Sequence, residues 1–220
     1  MFNKTDSMKA AIIYSGGMDS TVLLYRYRQD IKLAITFTYG ARQDEEQTAC
    51  ARWNCEQLGI EHVVIPLGFI GQYFNSSILK GGEDVPHGRY DEENMKSTVV
   101  PFRNGIMLSV AVGMAESRGL DAVLIANHAG DHTIYPDCRP EFIDAISAAA
   151  QRGTFPGITV ESPFCNITKR DIALIGKELG VPFEHTYSCY EGGHEHCGEC
   201  GTCVERKEAL EGFDPTIYTK

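Results

Sequence analysis

Six residues, Ser15-Gly16-Gly17-Met18-Asp19-Ser20, stand between an apolar run and a segment of helical composition, and they constrain the fold more than any other feature. Residues 9–14 read as a buried strand. Residues 19–29 read as a helix with Val22, Leu23 and Tyr27 spaced along one face. A strand that feeds a helix through a glycine turn opens an α/β unit, and the next segments keep that rhythm. Residues 31–37 form a second strand rich in β-branched and aromatic residues, 43–58 a long polar helix and 62–67 a third strand. Alternation of this kind predicts a parallel sheet with helices on its faces.

Residues 69–100 break the rhythm with Gly, Ser, Asp and Pro, and are expected to be an excursion, with 68–98 able to act as a lid or insertion. The alternation resumes with a helix over 103–118, a buried strand over 122–126 and a helix over 141–151 that begins just after a proline. A clean helix spans 168–179, with Thr168 as N-cap, Asp171 at the capping-box position and Gly180 as its stop. From 185 to 203 apolar periodicity vanishes, and a short helix starts near Val204. At 220 residues the chain suits one well-cored domain with an appendage, assigned to 1–183 and 184–220. No internal repeat has solenoid spacing.

Composition narrows the function classes. With 20 Lys plus Arg against 30 Asp plus Glu the net charge is −10, which exerts no general pull on phosphate backbones or anionic lipid. Nucleic acid is not expected as a partner. No run approaches the roughly 18 uninterrupted apolar residues of a membrane span, and residues 1–7 are too short and polar for a signal core. A cytoplasmic address is expected, with no membrane partner. Gln, Tyr and apolar positions on the early helices offer either a dimer face or ordinary core, and a homodimer is expected.

The glycine turn lies where backbone N–H groups and a helix dipole together make an anion site. Gly16 and Gly17 allow close approach of a phosphate, Ser15 and Ser20 add hydroxyls, and Asp19 is placed to hold Mg²⁺ against phosphate oxygens. The Gly-Lys-Ser/Thr ending of a Walker A loop is missing, and so is the Gly-x-Gly-x-x-Gly of a dinucleotide site. An ordinary turn with Asp19 or Ser20 as N-cap is the plain alternative.

Cys189, Cys197, Cys200 and Cys203 read C-x7-C-x2-C-x2-C, a spacing that lets four thiolates converge on one tetrahedral Zn²⁺. Four sulfurs leave no open position, so the zinc would be structural. His194 and His196 are possible substitute ligands, and a disulfide pair or an iron–sulfur cluster are the competing readings. Of the other cysteines, Cys50, Cys55 and Cys165 are expected to be small buried hydrophobes.

Residues 128–140 follow a core strand, where open α/β sheets place ligand loops. Asp131, His132, Tyr135, Asp137, Cys138 and Arg139 supply carboxylates for N–H groups, an aromatic for stacking, a thiol and a guanidinium. A planar heterocycle bearing a carboxylate would suit them, while a solvated turn between Pro136 and Pro140 is the alternative. At 103–104, Arg103 offers an anion contact and Asn104 an amide, or else simply a helix start.

Taken in order, SGGMDS at 15–20, TYGARQDEE at 38–46, VPFRN at 100–104, YPDCRPEF at 135–142, Thr168-Lys169, and SCYEGG with CGECGTC at 188–203 resemble the 7-cyano-7-deazaguanine synthase family of PP-loop ATP pyrophosphatases. The resemblance covers nearly the whole chain. It implies a Rossmann-like sheet of the adenine nucleotide alpha hydrolase type with a zinc-binding C-terminal subdomain. It also implies conversion of 7-carboxy-7-deazaguanine and ammonia to the nitrile with ATP, through an acyl-adenylate and an amide. On that pattern Ser15, Gly16, Gly17, Met18, Asp19 and Ser20 would hold pyrophosphate and Mg²⁺. Asp19, Lys169 and Arg103 would do the catalytic electrostatics, and Asp131, Tyr135, Asp137, Cys138 and Arg139 would position the deazapurine.

Two departures stand out. Ile134 occupies a place where the family pattern has a small glycine, so the acceptor side of the pocket is expected to differ, and residues 1–7 extend beyond the usual start. The alternative function is a related ligase that hands the adenylated carboxylate to another amine, such as a protein N-terminus in an anti-phage defence setting. A transfer-RNA-modifying PP-loop enzyme and a non-catalytic zinc-stapled binding module are more distant readings.

Overall fold

The computed structural model describes residues 8–88 and 95–220; residues 1–7 and part of the excursion, 89–94, lie outside the described residues. The chain builds a five-stranded sheet in the order β3-β2-β1-β4-β5, with every pairing parallel. Its strands are β1 (Ala10–Ile13), β2 (Ile31–Thr38), β3 (Glu61–Pro66), β4 (Ala122–Leu124) and β5 (Thr159–Glu161). The helices are α1 (Met18–Arg26), α2 (Asp44–Leu58), α3 (Gly68–Tyr73), α4 (Arg103–Ser117), α5 (Pro140–Gly153), α6 (Lys169–Leu179) and α7 (Gly201–Ala209).

Because strand side chains alternate between faces, β1 feeds two cores. Ala10 and Ile12 pack with Val22, Leu23 and Leu24 of α1, Ala51 and Cys55 of α2, and Ile172 and Ala173 of α6. Ala11 packs on the opposite face with Met107, Leu108 and Ala111 of α4 and Ile143 of α5. Both faces are therefore covered, as the near-continuous apolar strands require. The turn and helix over Lys96–Ser117 have the length and mean hydropathy, 1.3, of a membrane span, but half of that window is buried inside the protein, as suits a helix packed on a sheet.

The sequence gives no sign of β5. It is three residues long and lies between Gly157 and Pro163, too short to display a period, and it forms only when Val160 registers with Val123 of β4. At α6 the expected capping box is present: Thr168 Oγ1 accepts from the Asp171 N–H at 3.1 Å, and Asp171 Oδ2 accepts from the Thr168 N–H at 3.0 Å. Gly180 ends that helix at φ 69°. In the excursion, Ile78 and Leu79 join the core, the Arg42 N–H donates to the Ile78 carbonyl, and His87 bridges to Cys200. The tail shares the main core through Ala209 and Leu210.

The sheet order reverses between β1 and β4, since β1 continues to β2 on one side and β4 to β5 on the other. A crevice opens at such a point beyond the carboxyl ends of the strands.

Candidate active site

The glycine turn occupies that crevice. Gly16 adopts φ 83°, and a Cβ there would strike the Gln47 carbonyl oxygen and come within 2.8 Å of the Ala51 nitrogen, so only glycine allows the turn to press against α2. Gly17, not Asp19 or Ser20, is the N-cap of α1, and no side chain caps it. The first N–H groups of α1 are left for a ligand to satisfy. Ser15 Oγ holds the turn closed, accepting from the Gly17 N–H at 3.1 Å and meeting Ser20 Oγ at 3.0 Å.

Opposite the turn stands the start of α6. Lys169 Nζ lies 3.2 Å from Asp19 Oδ2 and 2.8 Å from Glu205 Oε2. Burial works against its charge, but Asp19, Glu205 and Asp131 outweigh that and raise its pKa above the ordinary lysine value. The other oxygen, Asp19 Oδ1, is buried without a hydrogen-bond partner. Such an orphaned carboxylate oxygen fits a hard cation such as Mg²⁺, which takes oxygen ligands.

Arg103 enters from the start of α4. Its guanidinium donates to Tyr39 Oη at 3.1 Å with its carbon 5.6 Å from that ring, and it stays cationic because Tyr39, Tyr190 and Asp137 overcome the effect of burial. The preceding residue, Phe102, takes φ 52°, in the left-handed region that non-glycine residues rarely adopt, and this bend aims Arg103 and Asn104.

The loop after β4 folds as two short 3-10 turns, Ala129–Thr133 and Pro136–Cys138. Asp131 Oδ2 accepts from the His128 N–H at 3.1 Å, and burial raises its pKa. Tyr135 meets Thr98 Oγ1 at 2.9 Å, and the Cys138 thiol accepts from Asn104 Nδ2 at 3.2 Å. Together the walls enclose about 210 Å³, lined by Ser15, Gly17, Met18, Asp19 and Ser20 from the turn, by Arg103 and Lys169, and by Asp131, Tyr135 and Cys138 from the loop.

Two expected substrate contacts are placed elsewhere. Asp137 Oδ2 accepts from the Asn104 N–H at 2.8 Å and so satisfies the start of α4, while Arg139 Nε donates to the His132 carbonyl at 2.8 Å and Arg139 caps α5. Neither lines the cleft. Gly16 shapes the turn from behind without lining it. Ile134, where the family pattern has glycine, is buried in a small cluster with Met95, Tyr135 and Cys138.

The four tail cysteines converge, their Sγ atoms all within 4.8 Å of one another. Cys197–Cys203 at 3.9 Å and Cys189–Cys200 at 4.0 Å match the roughly 3.8 Å edge of a tetrahedron with Zn–S of about 2.3 Å. All eight cysteines are free. Backbone N–H groups of Cys197, Glu199 and Cys200 point at these sulfurs at 3.3–3.4 Å, a donor set that suits thiolates on a metal. His194 and His196 are not part of the cluster. His196 Nε2 instead accepts from the Ser188 N–H at 3.1 Å, and burial together with Arg206 lowers its pKa to about 4. Arg206, wholly buried, ties the tail down through Thr216, Thr186, Ser188 and the Phe183 carbonyl.

Residues 9–214 match the family described as Queuosine biosynthesis protein QueC. The chain belongs to the QueC family. It is 58% identical over 210 residues to the 7-cyano-7-deazaguanine synthase of Porphyromonas gingivalis, covering 94% of this chain and 96% of that one. It is 50% identical over 212 residues to the 7-cyano-7-deazaguanine synthase of Desulfotalea psychrophila, covering 94% and 97%. Among solved structures, the NMN synthetase of Francisella tularensis superposes with a TM-score of 0.50 at 17% identity, over 96% of this chain and 80% of that one, a likeness of fold.

Within this QueC-family site, sequence reasoning missed Gln43, Gln47, Asn127, Tyr187 and Thr202 on the cleft wall, and Glu205 beside Lys169. Gln43 even carries a buried side-chain oxygen without a partner. Gln43 does fall inside the TYGARQDEE motif, and Ser188 opens SCYEGG; Glu205 had no signal beyond standing two residues after a cysteine.

Proposed function

We infer that the protein is an ATP-dependent synthase that converts 7-carboxy-7-deazaguanine and ammonia to 7-cyano-7-deazaguanine in queuosine-type deazapurine biosynthesis. One observation carries the reading beyond family membership: the turn, Arg103, Lys169 and the loop after β4, far apart in sequence, line a single cleft.

In this reading the N–H groups at the start of α1, with Ser15 and Ser20, take the pyrophosphate portion of ATP. Asp19 would hold Mg²⁺, whose chemistry is to neutralise phosphate charge. Lys169 and Arg103 stabilise the charge that develops on the α-phosphate as a substrate carboxylate oxygen attacks it and pyrophosphate leaves. Ammonia then displaces AMP to give the amide; the amide oxygen attacks an α-phosphate in the same way with release of pyrophosphate, and loss of the two N–H protons with departure of AMP, which carries that oxygen away, leaves the nitrile. Asp131, Tyr135 and Cys138 position the heterocycle, with Asp137 and Arg139 supporting that wall through the backbone. The cysteines would hold structural Zn²⁺. Four cysteines gathered for a metal and four unpaired ones suit the reducing cytoplasm, and the net charge of −10 supports small molecules over nucleic acid as ligands. A homodimer completes the reading and is checked by light scattering.

Mass spectrometry of a reaction containing 7-carboxy-7-deazaguanine, ATP, Mg²⁺ and ammonium tests it. Nitrile with AMP and pyrophosphate is the expected outcome. Adenylation without nitrile would transfer the reading to another amine acceptor, and absence of pyrophosphate would end it.

A further inference from the structure

Glu205 does not line the cleft, yet its carboxylate holds Lys169, which does. It sits on α7, which begins within the cysteine cluster, and Oε2 accepts from Lys169 Nζ at 2.8 Å, closer than the 3.2 Å between Lys169 and Asp19. Its Oε1 lies 3.9 Å from Nε2 of the buried His128, whose Nδ1 accepts from the Gly130 N–H and which therefore carries its proton on Nε2. Lys169 is thus suspended between two carboxylates, and Asp19 keeps one oxygen buried and unengaged. Without Glu205 the ammonium would have Asp19 as its nearest remaining counter-charge, and tight pairing there would close the carboxylate to any other cation.

We propose that Glu205 is a positioning residue that draws Lys169 away from Asp19 and so keeps the Asp19 carboxylate open to a metal–nucleotide complex. The proposal rests on the reading of Asp19 as the group that meets Mg²⁺ and phosphate. It also gives the cysteine tail a role at the nucleotide site, because α7 carries both Cys203 and Glu205.

The test uses the full-length, zinc-loaded protein. ATP binding is titrated with Mg²⁺ by calorimetry for wild type, E205Q and E205A, with zinc content and melting temperature measured on the same samples. The Mg²⁺ concentration for half-maximal ATP binding should rise at least about fivefold in E205A and less in E205Q, which keeps a hydrogen-bond acceptor, while zinc stays at the wild-type stoichiometry. Turnover at saturating Mg²⁺ should change far less than the Mg²⁺ requirement. An unchanged Mg²⁺ requirement in E205A would overturn the proposal, and so would loss of zinc from that variant, which would make Glu205 a support of the tail alone. A wild-type protein that binds no ATP with Mg²⁺ would instead remove the nucleotide reading itself.

Discussion

Asp19 Oδ2 and Lys169 Nζ stand 3.2 Å apart, joining the start of α1 to the start of α6 across the cleft. The pair is a junction of two helix N-termini, where an anion is favoured and a lone lysine is not, so Lys169 depends on its carboxylates. Replacing Asp19 by Ala leaves Lys169 with Glu205, so the fold should survive. ATP-dependent pyrophosphate release should fall by about 100-fold or more, the scale for removing one preorganised electrostatic group. Circular dichroism melting beside a pyrophosphate assay checks both halves, and near-normal release would remove the turn from the mechanism.

Gly16→Ala should destabilise the protein by more than about 2 kcal/mol, since it combines a left-handed backbone with a clash against the backbone of α2 at Gln47 and Ala51. Urea denaturation would show a lower midpoint. A midpoint equal to wild type would mean that the turn can move away from α2.

Removing one thiolate, as in Cys200→Ser, should lower the zinc content well below one ion per chain and loosen the tail. The hydrogen bonds of buried Arg206 are then exposed to water, and the melting temperature should fall by several degrees. Metal analysis by mass spectrometry with a thermal melt reads this directly, and a variant that binds zinc and melts as wild type does would show that fewer sulfurs suffice.

His62 gives stability a pH slope. Its Nε2 lies 2.8 Å from Thr36 Oγ1, and burial, then Arg52, lowers its pKa below the ordinary value of 6.5. The unfolded chain therefore binds the proton more readily. The contribution of His62 is complete above the unfolded pKa and is lost as pH falls from about 6.5 toward the lowered folded pKa. Denaturation midpoints measured from pH 8 down to pH 5 should decline less steeply in His62→Gln than in wild type. Parallel declines would assign the slope to other groups.

Much of this architecture is legible from local pattern. The glycine turn, the capping box at Thr168 and Asp171, the apolar strands and the cysteine spacing each act within a few residues, so their physics is written in adjacent letters. Two features are not legible in this way: β5, which exists only by pairing with β4, and Phe102, whose left-handed backbone carries no compositional mark. Asp137 and Arg139 look like ligand contacts by residue type, but the folded loop assigns them to the start of α4 and to the His132 carbonyl.

By itself, then, the sequence determined that a parallel α/β sheet would present an anion-binding turn and that four thiols would gather in the tail, because hydrogen-bonding and packing preferences repeat at short range. Only the tertiary structure decided that Lys169 would meet Asp19 and Glu205 together, and that Arg103 would face them over one cleft. Those meetings depend on strand order and on how helices from distant segments pack, and no single stretch of chain encodes a distance between itself and another.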